Sequence, residues 1–117
     1  MTLGEKQRKF TIMITYLIQW AYNHGYEITF GDAFRDPRAF GKHGEQGAYG
    51  RARSNHKIRL AIDLNLFKDG KYLTSTEDHR PLGEEWERMG EEYGVPARWG
   101  GRFDDGNHYS IEHWGGR

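Results

Sequence analysis

The sequence predicts an α+β fold, a small antiparallel sheet with helices packed on it. Three observations predict it. Apolar residues recur at helical spacing in two segments, residues 4–23 and the stretch from Pro81 onward. Between them Ile58, Leu60, Ile62 and Leu64 alternate with other residues, the mark of a half-buried strand. Asp69-Gly70 is a hairpin signal, and a hairpin pairs neighbouring strands antiparallel.

At 117 residues the chain fits one domain spanning residues 1–117. A chain of this length buries enough surface to form a core without staples. The first helix is expected over residues 4–23, with Phe10, Met13, Leu17, Trp20 and Ala21 on one stripe and Gly25 stopping it. Lys6, Arg8 and Lys9 precede this apolar run as in a secretion signal. Thr11, Thr15 and Gln19 interrupt it, however, and no small-residue cleavage site follows. It is also too short to span a bilayer, so no stable membrane insertion is expected. Residues 26–30 read as a strand. Residues 32–40, with Arg35, Pro37 and Arg38, read as a turn and a short helix. Gly41, Gly44, Gly47 and Gly50 punctuate a loop.

The strand containing Ile58 and Leu64 is followed by the hairpin turn and by a strand over residues 71–74. The second helix starts near Pro81, a favoured first-turn residue. Its stripe is Leu82, Trp86, Met89 and Tyr93, and Gly94 caps it. Trp99-Gly100-Gly101 opens the last segment, and residues 109–113 read as a final strand.

Composition narrows the function. The 17 basic and 17 acidic residues cancel, so the basic excess that phosphate neutralisation favours is missing and no nucleic-acid partner is expected. Cysteine is absent, which excludes disulfides and thiolate metal sites. Any metal must be held by His, Asp or Glu.

Two stretches supply such residues. In the first, residues 54–63, Asp63 interrupts an apolar strand and shares a face with Ala61. A carboxylate beside a core is costly unless it is paired or bound to metal. His56 and Asp63 are separated by an odd number of positions, so on one straight strand they would face opposite ways. Sharing an ion requires His56 to sit on a bend, which Ser54-Asn55 permits. The second stretch is Asp104-Asp105-Gly106-Asn107-His108-Tyr109. Its His108 can be a third ligand, and Asp105, three positions earlier, can lie beside the ion without binding it. Three protein ligands leave a fourth position for water, as a catalytic zinc requires. Each residue alone also fits a plainer role: His56 at the surface, Asp63 capping a turn or pairing with Arg59, His108 solvated in a loop. The alternative His-Glu-x-x-His pattern on one helix is absent.

Taken in order, Ser54-x-His56, Ala61-x-Asp63, Trp99-Gly100-Gly101 and Asp105-x-x-His108-Tyr109 resemble the D-alanyl-D-alanine carboxypeptidase and L-alanyl-D-glutamate peptidase family. That family includes phage endolysins and is related to the Hedgehog-type metal fold. The resemblance runs over nearly the whole chain, taking in Phe34-Arg35 and the region from Lys71-Tyr72-Leu73 to Leu82-Gly83. It implies a Hedgehog/DD-peptidase-like fold and a Zn2+ ion held by His56, Asp63 and His108. It implies Asp105 as general base, Arg35 as the group that holds the scissile carbonyl or a substrate carboxylate, and Ser54 as a substrate-binding residue beside the site. Arg35 also fits a salt bridge with Asp32 or Asp36, and Ser54 fits a turn. Many relatives carry Gly where this chain has Arg59, and some use Glu where it has Asp105. His113 is a rival third ligand, but His108 carries the Asp-x-x-His spacing. His24, His43 and His79 are expected at the surface.

The resemblance implies a monomeric, endolysin-like zinc peptidase that cuts the L-Ala–D-Glu bond of the peptidoglycan stem peptide. The same family also implies, as alternatives, a D-Ala-D-Ala carboxypeptidase and a non-catalytic metal-containing wall-binding module. With no signal peptide read, the protein is expected in the host cytoplasm, reaching the wall through a holin-type pore.

Overall fold

Thr2 starts the first helix. Its hydroxyl accepts from the Glu5 N–H at 3.1 Å while the Glu5 carboxylate accepts from the Thr2 N–H at 3.0 Å, a reciprocal cap. Helix α1 then runs Leu3–Asn23 and buries Phe10, Met13, Ile14, Leu17 and Ala21 on one stripe. The computed structural model describes residues 1–32 and 55–113. The expected turn and helix over residues 32–40, and the glycine-rich loop after it, lie outside the described residues save for Gly31 and Asp32, which lead out of the first strand.

The strands are β1 (Tyr26–Phe30), β2 (Ala61–Lys68), β3 (Lys71–Leu73), β4 (Ala97–Trp99) and β5 (His108–Ile111). The sheet is antiparallel and runs β1-β2-β5-β4, with β3 also paired to β2. The β2–β3 turn is made by Asp69 at φ 52° and Gly70 at φ 75°. Two successive positive φ values are what a tight two-residue hairpin needs, and Asp-Gly supplies them at little cost.

Helix α2 (Arg80–Tyr93) places Pro81 in its first turn and ends at Gly94, φ 70°, as expected. Leu82, Trp86 and Met89 face the core. Both helices pack on the sheet face made by Leu60, Ile62, Leu64, Leu66, Tyr109 and Ile111. Trp86 joins the layers: its ring meets Phe10 edge-on at 5.7 Å and Tyr109 at 6.4 Å, and its Nε1–H donates to the Ser110 carbonyl at 2.9 Å. No described helix is long and apolar enough to cross a membrane.

Three expectations need correction. The alternation beginning at Ile58 is extended only from Ala61; Asn55–Ile58 form a 3-10 turn instead. Arg59 at φ 59° breaks the extended chain between the two. Strand β4 was not expected. It has three residues, follows a proline, and exists because β5 offers it an edge. His79 is buried rather than at the surface, at 3% exposure. Ser75 and Asp78 bond each other's backbone N–H (Asp78 N to Ser75 Oγ 3.1 Å), and this turns the next residue inward. There His79 Nδ1 lies 2.9 Å from the Tyr109 hydroxyl. Burial lowers the His79 pKa from its ordinary 6.5, against smaller opposing effects of the Leu73 backbone and the Asp78 charge. His24 is exposed as expected, with its ring stacked 4.0 Å from that of Trp20, and His43 lies outside the described residues.

Trp99 is fully buried and anchors the loop that follows it, its Nε1–H donating to the Gly106 carbonyl at 2.7 Å. Gly83 of α2 and Gly101 lie against the indole so closely that a Cβ on either would overlap the ring. Gly83→Ala is therefore expected to destabilise the protein by about 2 kcal/mol in urea titration, despite the better helix propensity of alanine. For His79, the unfolded chain binds a proton near pH 6.5 while the folded chain resists it. Stability should therefore fall as pH drops below about 6.5. His79→Gln should make that fall shallower when unfolding free energies are compared across the same pH range, and an unchanged slope would refute the assignment.

Candidate metal centre

The β2–β5 pairing puts Asp63 directly opposite His108. Cross-strand partners point to the same face, so both side chains leave the sheet on the side away from the helices. Backbone bonds hold each residue in register. The Asp63 N–H donates to the Asp32 carbonyl at 2.7 Å, and the Asp63 carbonyl accepts from Gly31 N–H at 2.8 Å. The Leu64 N–H donates to the Asn107 carbonyl at 2.9 Å, tying the turn before His108 to β2. Asp105 closes that turn, its N–H donating to Gly100 and its carbonyl accepting from His108 N–H at 3.1 Å.

His56 arrives from the 3-10 turn, on a bend before the strand as its spacing required. The turn is fastened to α1 by Gln7, whose Nε2 donates to the Ile58 carbonyl at 2.8 Å. Arg59 holds the left-handed conformation that glycine adopts most easily. The corner between the turn and β2 therefore falls at a point of backbone strain.

Three ligand atoms converge. His56 Nε2 lies 3.1 Å from His108 Nδ1 and 3.2 Å from Asp63 Oδ1, and His108 Nδ1 lies 3.4 Å from the same oxygen. His56 and His108 are buried at 1% and 7% exposure, and Asp63 is half-buried. These residues form a group able to hold a metal ion. The spacing fits one: tetrahedral zinc with bonds near 2.0–2.1 Å needs ligand atoms about 3.3 Å apart. Three such atoms facing one point satisfy one another poorly, whereas a cation between them satisfies all three. Burial raises the Asp63 pKa, but hydrogen bonds with His108 and His56 and their charges outweigh it and hold the carboxyl well below the usual carboxylate range. Asp63 is thus ready to bind as a carboxylate.

Asp105 lies beside this triangle and outside it. Its Oδ2 is 4.0 Å from His108 Nδ1, and the side chain is 60% exposed. His113 does not join the group. It is buried, with Nδ1 3.2 Å from Lys6 Nζ. Arg35 and Ser54 lie outside the described residues. The contribution of Asn107 through its carbonyl was missed, because a backbone acceptor leaves no residue signature. The inward turn of His79 was missed too, although Ser75-x-x-Asp78 is a readable turn signal.

Residues 48–111, more than half of the chain, match the family described as D-alanyl-D-alanine carboxypeptidase. Among solved structures the chain is similar to the crystal structure of the L-Ala D-Glu endopeptidase ChiX of Serratia marcescens. The TM-score is 0.66 and the identity 18%, over 93% of this chain and 85% of that one. At that identity the likeness establishes the fold, which is the α+β arrangement expected. No curated protein sequence matches the chain.

Zinc titration against a competing chelator tests the geometry. His56→Ala, Asp63→Ala and His108→Ala should each weaken zinc binding by about a hundredfold or more, beyond what loss of an outer partner causes. His113→Ala should retain it. Loss of zinc with His113→Ala and retention with His108→Ala would reverse the assignment.

Proposed function

The chain belongs to the D-alanyl-D-alanine carboxypeptidase family of peptidoglycan metallopeptidases, and from that premise we propose that it hydrolyses the L-Ala–D-Glu bond of the stem peptide using zinc held by His56, Asp63 and His108. The observation that carries the reading is the convergence of three ligand atoms within 3.4 Å, with the Asp105 carboxylate next to them. A structural metal site has no use for that fourth, unligated acid, so the reading favours catalysis over a wall-binding module. The choice of bond follows the likeness to an L-Ala D-Glu endopeptidase.

A bound zinc ion would supply Lewis acidity, lowering the pKa of a water and polarising a carbonyl. The chain's own residues supply the rest. His56 and His108, both buried, and Asp63, whose carboxyl is held well below the usual carboxylate range, are set before the substrate arrives, so no reorganisation is needed at the moment of reaction. Asp105, wet and close by, accepts a proton from the attacking water and returns it to the departing amine. Arg35 is assigned to the developing oxyanion or a substrate carboxylate, where its fixed guanidinium suits two oxygens. Ser54 is assigned to substrate binding beside it. The protein is assigned to an endolysin-like role as a monomer, made in the host cytoplasm and reaching the wall through a holin-type pore.

Mass spectrometry of purified peptidoglycan after digestion tests the bond. Glycan-linked L-Ala ends and freed D-Glu amines, abolished by chelation and restored by zinc, are expected. Release of free D-alanine alone would move the function to the carboxypeptidase reading. Asp105→Ala should keep its zinc and lose turnover by about a hundredfold or more; near-normal turnover would remove Asp105 from the role of base.

A further inference from the structure

Beyond Asp105 the surface opens into a cavity of about 210 Å³. Its wall includes Thr74, Thr76, His79, Asp104, Asp105 and Asn107. Two loops make it, the one between β3 and α2 and the one before β5. Gly106 lets them meet: a Cβ there would come 2.6 Å from Thr76 Cα. The side chains of Thr74, Thr76, Asp104 and Asn107 make no hydrogen bond or ion pair with one another or with other described residues. The hydroxyls, an amide and a carboxylate therefore line the cavity without a protein partner among the described residues.

The charge of the wall is one-sided. Asp104 and Asp105 are its anionic groups, and neither lysine nor arginine lines it. Burial lowers the His79 pKa and so disfavours its cationic form. Position relative to the reaction follows from Asp105. The acid that returns a proton to the departing amine must stand on the leaving side of the cut bond. A peptide advances roughly 3.3–3.6 Å per residue, so the residues just after that bond pass the far side of Asp105 and reach the cavity.

We propose that this cavity is the subsite for a protonated primary amine carried on the leaving half of the substrate, the kind of group that the diamino acid of a stem peptide bears. The assignment rests on the peptidase reading above and deepens it. An ammonium group offers three donors, which the Asp104 carboxylate, the threonine hydroxyls and the Asn107 amide oxygen can accept. A free carboxylate in the same place would meet like charge. The site thereby prefers a stem that continues into a diamino acid over one that ends immediately after the cut bond.

The test uses the zinc-loaded protein and two peptides, N-acetyl-L-Ala–D-Glu–L-Lys with a free side-chain amine and the same peptide acetylated on that amine. Acetylation is expected to lower kcat/KM by about tenfold in the unmodified protein, the loss of one charge-assisted contact. In Asp104→Asn the difference should shrink to about twofold or less by the same reasoning. Asp104 sits at φ 60°, a conformation asparagine tolerates, so this variant keeps the backbone and should keep its zinc. Equal cleavage of both peptides by the unmodified protein would overturn the subsite and leave the peptidase reading standing. So would an acetylation penalty undiminished in Asp104→Asn. Cleavage of neither peptide, with peptidoglycan also intact, would overturn both.

Discussion

The register between β2 and β5 is the constraint on which the rest of the structure depends. Asp63 faces His108 because Ile62 pairs with Tyr109 and Ala61 with Ser110. A slip of one residue would turn Asp63 into the core and expose Leu64, since side chains alternate strictly along a strand. The core therefore specifies the site. Leu60, Leu64, Leu66, Tyr109 and Ile111 are all fully buried, and any other register would bring water to several of them. Two backbone bonds then fix the ends of the pairing, Leu64 N–H to the Asn107 carbonyl and Ile111 N–H to the Leu60 carbonyl.

The third member of the group, His56, comes by another route. His56 is off the strand, on a turn whose geometry depends on Arg59 at a positive φ. For a side chain other than glycine that conformation costs on the order of 1 kcal/mol. The sheet cannot bring His56 to Asp63 while both remain extended, so a strained corner between them is what lets a single ion see both. Gln7 steadies the corner from α1 through the Ile58 carbonyl. The helix thus contributes to the site without offering a ligand.

Much of this was legible in the sequence, and the illegible parts share a cause. Helices α1 and α2 showed in their apolar stripes and stop signals, and the β2–β3 turn showed in Asp69-Gly70, because those signals are local. The odd spacing of His56 and Asp63 even required the bend that is found. Strand β4 was invisible, since three residues carry no period and its partner is remote in sequence. Ile58 continued the alternation of β2 yet lies in the turn, because alternation records burial, and a turn residue that packs against the core is partly buried as well. His79 was misplaced because a single histidine carries no pattern; its burial comes from Tyr109, thirty positions away. The ligand triangle was legible as types and spacing. Its tightness was not, because distances near 3 Å between residues so far apart in sequence follow from register and packing.

The proposed ligands and the proposed base have opposite requirements, and the two ends of the β5 turn meet them separately. A ligand gains from being dry: desolvation strengthens its attraction to a cation and fixes its direction. His108, at 7% exposure and within hydrogen-bond distance of the other ligand atoms, meets that need. A proton carrier must exchange with water on one side and with a leaving group on the other, so it gains from exposure. Asp105, three residues earlier, is held by its backbone at both N–H and carbonyl, while its carboxylate makes only the long 4.0 Å approach to His108 among the described residues. One turn thus holds the main chain rigid and leaves one side chain free to move. The anchoring of Trp99 to Gly106 sits in the middle of that turn, so a buried indole helps to set the distance between Asp105 and His108.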